Sequence, residues 1–160
     1  MLRITSVAGN IHADGFRHLD VKGCHRLRLS RNDLEKRRMR RVSDTGGDVI
    51  VSLEPGVFLN DGDIAYSGDE IILVEQIPEM VIAVDISGVD SPDVLVMIGH
   101  AIGNLHRPIS IRGTAIYLPA QAESELELFR SILKVSGQVQ VSIDRLVFKP
   151  DPRANIAGHG

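Results

Sequence analysis

The chain has 160 residues, 43% of them apolar, and a formal net charge of -3. That is length for one or two small domains and an ordinary globular composition, with no overall attraction for a polyanion. One cysteine, Cys24, excludes an internal disulfide framework, and near-apolar runs such as "VLVMIGHAIG" (94–103) are too short to span a membrane.

The N-terminal "MLRITSVAGN" lacks the apolar core of a secretory signal, so the expected location is the cytoplasm. "HRLRLS" (25–30) alternates Leu27 and Leu29 with polar neighbours, and "DVIVSL" (48–53) does the same with Val49, Val51 and Leu53. "SDTGGD" (43–48) predicts a hairpin turn between strands, and "EPGVFL", "NDGD" and "YSGDE" predict further turns. "IAY" and "IILVEQ" flank the last of them as strands. Residues 1–76 are therefore expected to form an all-β module of short antiparallel strands, too small to stand without a second layer.

The period changes at Pro78. "EMVIAVDI" (79–86) reads as a covered strand. "SPDVLVMIGHAIGNLH" (91–106) reads as a helix, with Ser91 as N-cap and Pro92 in its first turn. Val94, Met97, Ile98, Ala101 and Ile102 fall at helical spacing on its inner face. "PISIRG" and "TAIYLP" are strands joined at Gly113, and 122–137 is a second helix ending at Gly137. "QVQVSI" is a last strand. The order β-α-β-β-α-β over 77–149 is that of a ferredoxin-like domain, so the fold class is α+β. Residues 150–160 have little to bury and read as a flexible tail.

Few residue groups carry chemistry. No G-x-S-x-G, P-loop or dinucleotide fingerprint is present, and nothing in the composition points to an enzyme. The "DGD" at 61–63 lacks the other ligands of a calcium loop. The basic run "EKRRMRR" (35–41) has no interleaved aromatics for base stacking; a solvated or partner-facing strand fits it better than nucleic-acid binding. Cys24 and His25 are neighbours, which a strand points to opposite faces. His100 and His106 lie six apart, roughly 120° around a helix and about 9 Å along it, so one regular helix face cannot chelate an ion with both. Gly103 and Asn104 are natural terminators and would leave His106 at or beyond the helix end. On spacing alone each histidine reads as a metal ligand or as a solvated side chain, and His159 in "AGHG" likewise.

The combined pattern resembles the UreE family of urease accessory proteins. "LRLSRNDLEKRRMRRVSDTGG" resembles that family's basic strand and turn, and "VSLEPGVFLNDGDIAYSGDEIILVEQIPEMVIAV" its stretch up to a "P-E" junction. "IGNLHRPISI" (102–111) resembles its "G-N-R/L-H-x-P" signature through Gly103, Asn104, His106 and Pro108. The resemblance implies a peptide-binding, chaperone-like first domain and a ferredoxin-like metal-binding second one. It implies a cytoplasmic homodimer that carries Ni(II), with Zn(II) or Cu(II) competing for the same site. The implied partners are the urease accessory GTPase and the urease apoprotein complex, with no nucleic acid and no membrane. By resemblance His106 is the principal metal ligand and His159 a tail ligand; His100, one position before the family's commonest upstream histidine, is an accessory ligand or a plain helix residue. Val96 and Ile102 are expected to line the dimer interface. The alternative class is a protein-interaction module with incidental metal binding.

Overall fold

The computed structural model describes residues 1–134 and 138–155. It divides into two compact units, Met1–Ile77 and Pro78–Gly160.

The first unit holds two sheets. Strands β1 (Leu2–Ile4), β5 (Asp48–Ser52) and β4 (Arg38–Val42) form one, in the order β1-β5-β4. Strands β2 (Gly9–Asn10), β6 (Asp63–Ser67), β7 (Glu70–Gln76) and β3 (His25–Leu29) form the other, in the order β2-β6-β7-β3. Alternation decides which side chains go inward: Leu27 and Leu29 from β3, Val49 and Val51 from β5, and Ile72 and Val74 from β7 share one core with Ile4 and Leu59. β7 is covered on both sides. Its Leu73 points the other way and packs with Cys24 and Ile64 under Phe16, Leu19 and Val21. Residues 11–24 thus supply the second layer that so small a sheet needs.

Two expectations for this unit are corrected. The strands are not all antiparallel: β1 pairs with β5, and β3 with β7, in parallel. Their long intervening connections allow the chain to cross over instead of turning back. Nor is the unit purely strand, because Arg31–Leu34 form a single helical turn, α1, capped by Ser30 Oγ accepting from the Asp33 N–H. The "NDGD" segment is a structural turn. Asp61 Oδ1 accepts from the Gln76 N–H at 2.8 Å, and buried Asp63 accepts from the Asn60 N–H and the Asn10 amide. Gly62 sits at φ +84, where a Cβ would lie 2.8 Å from the His12 ring.

The basic run is largely neutralised in place. Arg41 and Lys36 both bond Asp33, at 2.6 and 2.8 Å, and Arg40 bonds Asp48 at 2.6 Å. Arg26 and Arg28 share Glu75.

In the second unit, strands β8 (Glu79–Asp85), β9 (Ser110–Arg112), β10 (Ala115–Pro119) and β11 (Gln140–Leu146) form one antiparallel sheet in the order β11-β8-β10-β9. Helices α2 (Pro92–Gly103) and α3 (Glu125–Ile132) cover one face of it. Ile82, Val84, Leu118 and Val141 from the strands meet Ile98, Ile102, Phe129 and Leu133 from the helical segments. Gly113, at φ +59, turns β9 into β10.

Both helices are shorter than expected. α2 stops at Gly103, and α3 stops at Ile132 with Leu133 as its buried C-cap; Gly137 lies outside the described residues. Met97, expected inside, is 53% exposed, because it sits on the flank of the stripe that runs through Val94, Ile98, Ala101, Ile102 and Leu105. The segment after β11 begins against the sheet edge: the Asp151 N–H donates to the Ile109 carbonyl at 2.7 Å, and Pro152–Asn155 form a short 3-10 turn. His159 lies outside the described residues.

Hydrogen bonds from Arg41 and then Lys36 hold the Asp33 carboxyl at about 2, against the opposing effect of burial. A carboxylate depressed by folding stabilises fully above its unfolded value, near 4, and loses that contribution as pH falls through the folded value. Asp33→Asn should therefore cost about 1 kcal/mol at pH 7, discounted for the partly exposed partners. Urea unfolding at a series of pH values should show the gap between wild type and variant closing between pH 4 and 2.

Candidate metal centre

Helix α2 forms because Pro92 fits the first turn, Asp93 lies near the positive end of the helix dipole, and one apolar stripe faces the sheet. Ser91 is the N-cap by position, though its side chain makes no capping bond. The end of the helix decides where His106 goes. The Asn104 N–H still reaches back to the His100 carbonyl at 3.1 Å. The next two N–H groups tighten to three-residue spacing, Leu105 to Ile102 and His106 to Gly103, at 3.1 and 3.2 Å. His106 then takes φ +53, alone among the described non-glycine residues in having a positive φ. That left-handed conformation costs about 1 kcal/mol for a residue with a Cβ, and it stops the helix. Pro108 forbids its resumption and pushes Arg107 toward extended backbone.

This turn leaves the His106 side chain exposed on the rim of a cleft of about 600 Å³. The cleft is mostly apolar, with Gly103, Ile102, Ile109, Ile111 and Ile116 among its lining residues. Asp151 stands on the same cleft. Three hydrogen bonds from Arg153, two from its guanidinium and one from its backbone N–H, hold the Asp151 carboxyl ionised, at about 2.

On the other side of His106 the chain is clamped. The Arg107 guanidinium bonds both Glu125 oxygens at 2.8 Å and donates to the Pro119 carbonyl at 3.0 Å. It also stacks 5.7 Å from the centre of the Phe129 ring. Glu125 accepts a further bond from the Gln121 N–H. The Arg107 bonds, and secondarily the Gln121 N–H, hold the Glu125 carboxyl below its ordinary range against burial. Nothing in the sequence pairs Arg107 with Glu125; the one signal is an arginine beside the proline that follows the helix end.

The other candidates are placed apart. His100 is exposed on α2, and its Nε2 lies 3.3 Å from the Asn104 side-chain amide, while its Nδ1 makes no hydrogen bond among the described residues. Among the described residues no three His, Cys, Asp or Glu side chains gather as one coordination set. Cys24 is 6% exposed, and burial, with Asp20 adding to it, pushes its thiol up and keeps it protonated. His25 faces away from it and is engaged at both nitrogens, by Thr45 Oγ1 at 2.7 Å and Glu70 Oε2 at 2.8 Å.

Residues 4–75 match the family model described as the N-terminal domain of the UreE urease accessory protein. Over 148 residues the chain is 28% identical to the urease accessory protein UreE of Yersinia mollaretii, and over 149 residues 30% identical to that of Yersinia frederiksenii. It is 31% identical over 148 residues to the one of Yersinia pestis strain Pestoides F. Each alignment covers 86% of this chain but only 64%, 61% and 63% of the respective relative, so the chain spans less than two thirds of their length. The family model takes in almost the whole first unit and the relatives extend the match through the second, so over both units the chain is similar to the UreE urease accessory proteins.

Proposed function

We propose that this chain is a cytoplasmic nickel metallochaperone for urease assembly, which binds Ni(II) at the two-fold axis of a homodimer and releases it by ligand exchange, without catalysing a reaction. The observation that carries this reading is His106, held exposed by a left-handed turn where α2 ends. One imidazole per chain is a weak site, but a two-fold axis supplies its copy at no cost in extra sequence. Ni(II) takes imidazole and oxygen ligands, as do Zn(II) and Cu(II), which would compete there. His159 completes the coordination from the chain end. His100 is an accessory ligand at most, since Asn104 already occupies one of its nitrogens.

Exposed apolar residues on α2 favour the dimer. Val96 is 72% exposed, and Leu95 and Met97 lie beside it. Ile102, expected at the interface, is instead 3% exposed in the core of its own unit, so Met97 takes its place in the proposal. On this reading residues 77–149 are a ferredoxin-like metal-binding domain, 1–76 a peptide-binding, chaperone-like domain and 150–160 the tail that carries His159. The partners are the urease accessory GTPase and the urease apoprotein complex. The second reading, a protein-interaction module with incidental metal binding, has one observation in its favour. β4 is an edge strand, and Arg37 just before it and Arg38 at its start have no side-chain partner among the described residues.

Nickel calorimetry on wild type and His106→Ala, with mass by light scattering, separates the two. The metallochaperone reading expects about one tight ion per dimer and at least about 100-fold weaker binding in the variant, more than loss of an outer partner costs. Unchanged affinity in the variant, or a monomer with and without nickel, overturns it. Because protons compete with the metal for an imidazole nitrogen, affinity should fall as pH is lowered; a profile without that fall would argue against imidazole ligation. Deleting residues 155–160 should leave the dimer intact and change nickel affinity and transfer rate, measured against a chelating acceptor.

A further inference from the structure

We infer that Arg107 is the positioning residue of the metal site: its fork on Glu125 and Pro119 holds the His106 turn in the one conformation that presents the imidazole. The inference rests on the nickel reading of His106. The His106 ring makes no hydrogen bond among the described residues, so nothing holds it directly. Its direction comes from its backbone, which sits in a conformation that an L side chain adopts reluctantly. The helix end supports that backbone from one side through the His106 N–H to Gly103 carbonyl bond.

Support from the other side comes from the very next residue. Arg107 reaches the end of β10 through the Pro119 carbonyl and the start of α3 through Glu125, and it lies over Phe129, which is fully buried in the core. Three hydrogen bonds and a ring contact thus tie the residue after His106 to the rigid part of the unit. The fork geometry is essential. An ammonium group cannot span both carboxylate oxygens and the carbonyl at once, so lysine keeps the charge but not the clamp.

The unit's core is assembled from the β8, β10, β11, α2 and α3 side chains and does not include Arg107 itself. If the clamp only stabilised the fold, breaking it would lower the melting temperature and leave the nickel affinity of the folded protein unchanged. If the clamp positions His106, breaking it weakens that affinity.

The test uses the full chain and Ni(II) alone as ligand, with wild type, His106→Ala, Arg107→Lys and Glu125→Gln side by side. Calorimetry gives affinity, and amide hydrogen exchange reports the turn at 105–107. Expected are a loss of tight binding in His106→Ala, about tenfold weaker binding with faster exchange at 105–107 in Arg107→Lys, and a smaller loss of the same kind in Glu125→Gln. Should Arg107→Lys fail to fold, Glu125→Gln decides. If His106→Ala loses nickel while both clamp variants bind like wild type, the inference is wrong and the His106 reading stands. If His106→Ala binds like wild type, the reading of the site falls and the inference falls with it.

Discussion

Between α2 and β9 the chain meets opposed demands within six residues. It has to stop a helix, bury Ile102 on one side and keep Ile109 half-buried on the other, and leave a polar ring uncovered between them. The Arg107–Glu125 pair is what reconciles them. It is only partly exposed, with the two side chains at 20% and 13%, so its two 2.8 Å bonds act where water competes weakly. It also couples parts of the unit that are remote in sequence, because Glu125 opens α3, Pro119 closes β10 and Arg107 precedes β9. Removing one partner would leave the other charge half-buried and unmatched, which costs more than the pair contributes when intact.

The first unit solves a different problem. It carries a dense basic run, three of whose charges are met locally by Asp33 and Asp48, while Glu75 serves Arg26 and Arg28 on β3. Arg37 and Arg38 remain, beside or on an edge strand. Positive charge on an open edge also discourages strand-to-strand association between copies. The clusters around Leu27 and Leu73, on opposite faces of the β3–β7 sheet, are what make this layout stable: one sheet face meets the β1-β5-β4 sheet, and the other is closed by residues 11–24.

Period-two alternation made β3 and β5 legible, because one face of each is buried and the other is not. Pro92, the stripe through Ile98, and the Gly103-Asn104 pair did the same for α2 and its end. Parallel pairing was not legible: alternation says which face a strand buries, not which way its neighbour runs. α3 is read too long because Gly137 offers a C-cap, whereas the helix is already capped at Leu133. Met97 was misplaced because a residue on the flank of a stripe has the same spacing as one at its centre. At the candidate site, the signature that carries His106 could be read from consecutive residues. Its support could not, since Arg107 and Glu125 are 18 positions apart and only the folded sheet brings them together.

Cys24 is the chain's one thiol, and the fold closes it beneath Phe16, Leu19 and Val21 while keeping it protonated. A metal ion meeting the native first unit therefore encounters nitrogen and oxygen donors but no thiolate. Soft ions such as Cu(I) gain most from thiolate, while borderline divalent ions lose little by its absence. Burial of that sulfur thus removes the one thiolate the folded unit could offer a softer metal, and it does so only while the small Ile64–Leu73 core stays shut.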